Sequence, residues 1–206
     1  MDEKSSALAM GSGMKFAYPE GATPLEPVES KGLKLPHITT REELNKWESD
    51  NILAAELRFF NRAQRDVLNE GFLLRVHREM FRNVWRWAGR YRTTDKNLGV
   101  PHWDVGVKVV GLCEDAKLWI EARDPADEIA ARFHHRLVSI HPFANGNGRH
   151  ARMMADLLLI HILKKPRFTW GSAGLATVGE ARSRYLAALR TADSRNYAPL
   201  FAFVRS

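Results

Sequence analysis

The chain has 206 residues, 45% hydrophobic and 27% charged, with a net charge of +7. That is enough for one domain with a sizeable core, and it excludes a disordered or low-complexity chain. The single cysteine, Cys113, excludes an internal disulfide and fits a reducing, cytoplasmic setting, while the absence of any apolar run of roughly 18 residues excludes a helical membrane span.

In chain order, residues 1–13 are small and polar and are expected to be an expression remnant ahead of Met14. Residues 14–38 carry Pro19, Pro24, Pro27 and Pro36 and read as an extended leader, so the domain proper is expected over 39–206. Thr40 with Glu43 makes a capping box that opens a helix to about residue 63, with Leu44, Trp47, Ile52, Ala55 and Phe59 turned inward. A second helix is predicted over 70–88 from Leu73, Val76, Met80, Val84 and Trp87, ended by Gly89. Arg78, Arg82 and Arg86 form a basic stripe on it, which reads as a solvated face.

Residues 91–110 break that period. Asn97, Gly99 and Pro101 form turns, and Val105, Val107 and Val109 alternate, which predicts a small β-hairpin flap before a short helix at 114–122. Asp124 and Pro125 then open a helix that buries Ile129, Phe133, Leu137 and Ile140 and stops at His141, because a residue before proline is pushed out of the α region. The next helix begins near Asn147 and is apolar almost all round over 151–163, as a buried central helix would be. Thr177 with Glu180 caps another helix to about residue 191, and Pro199 opens a last apolar turn. The expected fold is all-α with one β-hairpin flap.

The segment 141–152, His-Pro-Phe-Ala-Asn-Gly-Asn-Gly-Arg-His-Ala-Arg, holds the chemistry. Gly146 and Gly148 tolerate backbone angles that other residues resist and let a ligand approach the main chain. The unpaired amides at the start of a helix make an anion site, and Arg149 and Arg152, three apart, share a face beside it. A diphosphate or triphosphate suits that geometry better than one carboxylate. His141, at the lip of the cradle and titrating near neutral pH, is a candidate general base, and Phe143 anchors the loop. No Gly-Lys-Ser/Thr follows, so this is not a Walker loop, and the spacing of His134, His135, His141 and His150 matches no zinc pattern.

The segment resembles the signature of the Fic/Doc family, whose eight fixed positions correspond to His141, Pro142, Phe143, Gly146, Asn147, Gly148, Arg149 and Arg152. The stretch Trp87-Ala88-Gly89-Arg90-Tyr91-Arg92 is similar to that preceding the family's flap, and the resemblance covers about residues 40–203. The leader Tyr18-Pro19-Glu20-Gly21-Ala22-Thr23-Pro24-Leu25 and Asn145 are similar to the subgroup called mobile mystery protein B.

The resemblance implies transfer of AMP from ATP to a Ser, Thr or Tyr hydroxyl of a target protein, with Mg²⁺. It implies His141 as general base. It also implies Asn147, Arg149 and the loop amides on the phosphates, Arg152 on the γ-phosphate, and a target docked along the flap near Lys96 and His102. Two departures stand out. Asn145 occupies the position of the usual metal-binding carboxylate and offers only a neutral oxygen. No stretch reads Ser/Thr, three residues, Glu, then Gly/Asn, because Glu20 is preceded at the needed place by Phe16 and Glu70 by Asp66, so any restraint is expected from a separate inhibitory protein. The competing readings are a non-catalytic nucleotide-binding module and a basic nucleic-acid-binding accessory.

Overall fold

Thr40 opens the first long helix through reciprocal capping. In a computed structural model that describes residues 24–172 and 177–206, Thr40 Oγ1 accepts the Glu43 amide at 3.2 Å, and the Glu43 carboxylate accepts the amides of Thr39 and Thr40. The expected remnant at 1–13 and most of the leader stretch 18–25 lie outside the described residues. Within 24–38 a short helix α1 (Pro27–Ser30) precedes an isolated antiparallel bridge between Leu33 and Trp85.

Helix α2 (Arg41–Phe60) buries Leu44, Glu48, Asn51, Ala55 and Phe59. Trp47, expected inside, is 43% exposed. The buried positions keep a steady three- or four-residue step along one stripe, and two of them are polar. Hydrophobicity alone therefore misplaces Trp47, whereas Leu44, Ala55 and Phe59 are buried and Ile52 packs against the core as expected.

Helix α3 (Glu70–Phe81) is capped by Asn69, whose Oδ1 accepts the Phe72 amide. It ends seven residues earlier than expected. Residues 82–90 turn instead, which lets Trp85 sink into the core while Lys34 N–H donates to the Val84 carbonyl and Arg86 N–H to that of Gly32. The basic stripe therefore breaks after Arg78: Arg82 lies beyond the helix end and pairs with Glu79.

The β-hairpin flap does not form; among the described residues there is no strand. Residues 91–101 are an irregular connection, His102–Asp104 a 3₁₀ turn, and Val105–Glu121 one continuous helix, α4. The alternating valines mislead because they are a fragment of a longer helical pattern. Val105, Val109, Leu112, Cys113 and Ala116 are buried, whereas Val107 is 74% exposed. The 3.6-residue period sustained over the whole segment outweighs β-branched propensity at its start.

Helices α5 (Ala126–Ile140) and α6 (Asn147–Leu158) form the centre, α6 burying Met153, Met154, Ala155, Leu157 and Leu158 before a closing π turn over Leu159–Leu163. Helices α7 (Val178–Asp193, capped by Thr177 and Glu180) and α8 (Ala198–Val204) close one side around Phe168, Tyr185, Leu200 and Phe203. Among the described residues no helix is long and apolar enough to cross a membrane.

Candidate active site

The α5–α6 connection is built by three local devices. His141 terminates α5 in the left-handed region, at φ 55° and ψ 60°, with its amide donating to the Leu137 carbonyl. Pro142 denies it the right-handed region, and the left-handed one costs a non-glycine residue about 1–2 kcal/mol. Gly146, at φ 79°, starts α6 and lies so close to Phe81 that a Cβ would sit 2.5 Å from the ring. Its bare Cα thus serves core packing as well as the turn. Around Gly148 a Cβ would meet only the Tyr185 hydroxyl, at 3.9 Å, so this is the glycine that leaves the main chain open to a ligand.

Asn147, expected on the phosphates, is buried: its Oδ1 accepts the Phe143 amide at 2.9 Å and its Nδ2 donates to the Phe143 carbonyl at 2.8 Å, so its amide braces the loop. Phe143 is fully buried against His77, with ring centroids 3.6 Å apart and planes 11° from parallel. His77, on α3, accepts the Gly89 amide on Nδ1 at 2.9 Å. Its proton is therefore on Nε2, which donates to the Asn145 carbonyl at 3.1 Å. Nothing in the sequence marks His77 as a strut of this loop.

Arg149 and Arg152 emerge on one face of α6 and line, with Ser49, Leu53, Glu56 and Trp170, a cleft of about 350 Å³. Arg149 is ion-paired at 2.7 Å to Glu48, a carboxylate only 2% exposed, and lies 5.0 Å over the Phe81 ring. Glu48 also accepts the Trp85 indole N–H at 2.7 Å. Sequence reasoning missed Glu48. Its signal was the steady step from Leu44 to Phe59, in which a charged residue occupies an inward position. Arg152 rests over the ring of Tyr185, whose hydroxyl meets His134 Nε2 at 2.9 Å.

Burial, assisted by the nearby Arg92 and Lys96 cations and opposed by a Val138 backbone contact, pushes the His141 imidazole down to about 4. It is thus neutral at physiological pH and can accept a proton, though it titrates well below the near-neutral range expected. Lys96 turns its ammonium inward onto Glu29, and His102 is bound through its amide and Nδ1 to Asp95. With no hairpin between them, these two residues do not form a docking edge of strand type.

Asn145 Oδ1 accepts the Gly146 amide at 2.6 Å and lies 3.5 Å from an Arg149 nitrogen. Among the described residues no three His, Cys, Asp or Glu side chains converge as a metal site. One neutral oxygen already in use does not fit a resident Mg²⁺.

Residues 67–159 match the Fic/DOC family. That match spans a little under half of the chain and includes the whole of the 141–152 loop. Among curated relatives it is 29% identical over 183 residues to protein adenylyltransferase fic-1 of Caenorhabditis elegans, covering 84% of this chain and 34% of that one. It is 33% identical over 96 residues to protein adenylyltransferase Fic of Nematostella vectensis, covering 43% and 22%. It thus spans about a third or less of the length of these relatives. A solved structure of C. elegans Fic-1 superposes with a TM-score of 0.58 at 26% identity, over 75% of this chain and 46% of that one. BepC of Bartonella tribocorum, solved with bound AMPPNP, gives a TM-score of 0.66 over 91% and 93% at 17% identity, and so shows that the Fic fold extends beyond 67–159.

Proposed function

We propose that this chain is a protein adenylyltransferase that moves AMP from ATP to a Ser, Thr or Tyr hydroxyl of a target protein. The observation that carries the reading is a buried His141 at the end of α5, in the loop that leads into the α6 start, where Arg149 and Arg152 line a cleft. In the reaction the target oxygen attacks the α-phosphorus and gives its proton to His141. The bond from that phosphorus to the bridging oxygen breaks, and pyrophosphate leaves. The α6 amides and Arg149 stabilise charge on the phosphates, and Arg152 reaches the outer phosphate. The negative triphosphate raises the basicity of His141 as it binds, which readies a ring that is otherwise weakly basic. The names of the curated relatives, and the AMPPNP bound by the Fic-fold neighbour, support ATP as donor.

Mg²⁺ enters with the triphosphate, as part of the substrate. Restraint comes from a separate protein, since the chain has no Ser/Thr-x-x-x-Glu-Gly/Asn stretch. Residues 18–25 and Asn145 support placing the chain in the mobile mystery protein B subgroup. The deciding experiment incubates the protein with a host lysate and each nucleotide in turn, and reads target masses. Addition of one AMP per modified hydroxyl is expected. ATP binding with no mass gain on any protein would instead favour the second reading, a nucleotide-binding module, which the neutral and occupied Asn145 oxygen recommends.

Asn145→Asp tests the same position. A carboxylate there would strengthen the existing contacts to Gly146 and Arg149 and place a charge beside metal-bound phosphate. The Mg²⁺ concentration for half-maximal transfer is expected to fall roughly threefold or more. Coincident titration curves for parent and variant would mean that this side chain does not sense the ion.

A further inference from the structure

Arg92 lies outside the signature, in the irregular connection before α4, yet its side chain is 0% exposed. Its nearest carboxylate, Asp95, stands 3.6 Å away and is more than half exposed. The guanidinium spends its donors on carbonyls. Nε donates to His141 O at 2.7 Å and Nη1 to Thr94 O at 2.9 Å, while Nη2 donates to Val100 O and reaches Ile140 O at 3.5 Å. Its own amide donates to the Pro142 carbonyl at 3.0 Å, and the Val100 amide to that of Ile140 at 3.3 Å.

Two of these acceptors are the last carbonyls of α5, which have no partner within the helix and point into the interior rather than to water. A buried cation at that end also complements the helix dipole. Gly99, at φ +106°, completes the fit: a Cβ there would lie 2.7 Å from His141 Cβ and 2.8 Å from an Arg92 nitrogen. Pro142 leaves His141 the left-handed or the extended region, and only one of them presents its carbonyl to the guanidinium. A strained residue at a site persists when its surroundings over-determine it.

We propose that Arg92 is a positioning residue: one buried guanidinium gathers the carbonyls at the end of α5 and so holds His141 in the left-handed conformation from which the chain turns into the α5–α6 loop. This rests on His141 as the base of the proposed transfer. The cations near the His141 ring are Arg92 and Lys96, the latter paired with Glu29, and the backbone of Val138 contacts it.

The test uses the full chain. Arg92→Lys keeps the charge but cannot reach four diverging carbonyls, and Arg92→Gln removes the charge as well. Both variants are expected to bind ATP within about threefold of the parent, with KM for ATP likewise held, while kcat falls at least about tenfold. In NMR spectra the His141 ring resonances should shift in both. Their titration midpoint should stay near the parent's in the Lys variant and rise by about half a unit or more in the Gln variant. A residue that served stability alone would also move that midpoint in the Gln variant, so the mark of positioning is a fall in kcat with ATP binding held in the charge-conserving Lys variant. Folded variants with unchanged kcat and unchanged His141 resonances overturn the proposal.

The parent protein gives a second measurement that needs no variant to fold: the Arg92 Nε–H should exchange with solvent at least about tenfold more slowly than those of exposed arginines. Fast exchange overturns the clamp. The NMR readouts stand whether or not His141 is the base. Unimpaired transfer by His141→Ala would sink the functional reading and leave the clamp intact.

Discussion

His141→Ala is expected to abolish most transfer while leaving nucleotide binding within a few-fold of the parent, because loss of a general base costs on the order of 10²–10⁴ in rate. The phosphate groups of the site belong to other residues: the α6 amides, Arg149 and Arg152 are unchanged by the substitution. The loop also keeps its struts, since Asn147 braces Phe143, and His77 holds the Asn145 carbonyl, through contacts in which the His141 ring takes no part. Alanine enters the left-handed region less readily than histidine, but the backbone contacts around the α5 terminus do not involve the ring and should still hold it there. Single-turnover transfer and ATP calorimetry on the purified variant decide the matter. A normal rate removes His141 from the role of base. A loss of ATP affinity as large as the loss of rate would make it a binding residue instead.

Acid should begin to destabilise this protein at a pH where most domains are still near their optimum. His77, His134, His141 and His150 are all buried, and burial lowers each from the ordinary 6.5: His77 well below it, His134 and His150 to about 3, His141 to about 4. The contacts explain why a second proton is unwelcome. His77 Nδ1 faces the Gly89 N–H and must stay an acceptor, while His150 Nδ1 is buried with no acceptor for a second proton.

Each of these groups has a folded value below its unfolded one, so beneath pH 6.5 the unfolded chain binds more protons and stability rises with pH. Above about pH 7.5 these groups contribute no slope. Between 6.5 and their folded values each costs about 1.4 kcal/mol per pH unit, so the three with assigned values together remove roughly 4 kcal/mol per unit. Set against a total stability of about 5–15 kcal/mol, that brings the unfolding midpoint to between about pH 3 and pH 5. Thermal melts between pH 8 and pH 5 should be level at the alkaline end and fall steeply below about 6. A level curve down to pH 5 would mean that these rings are charged or solvated in the native state.

The signature loop was readable before any coordinates because its determinants are local. Proline after His141 ends α5, glycine at 146 permits the turn into α6, and Thr40 with Glu43 and Thr177 with Glu180 cap their helices through side chains three residues apart. Rules of backbone sterics and capping act over a few residues, and a single sequence displays them directly. The proposed phosphate cradle and the general-base candidate were read from the same stretch.

What needed the tertiary structure was everything decided by a distant partner. Glu48 faces inward because Trp85, 37 residues away, donates to it and Arg149 pairs with it. Helix α3 stops at Phe81 because the turn beyond it pairs with residues 32–34. The valines after Pro101 are helical because Val105, Val109 and Leu112 find the core, and that contact overrides the preference of valine for strands. Arg92 is enclosed because the end of α5, 49 residues on, offers carbonyls that no water reaches. Burial of a charge is tolerable only when partners from elsewhere in the chain satisfy it. Its position in sequence cannot announce it, whereas a proline or a cap carries its constraint within its own few bonds.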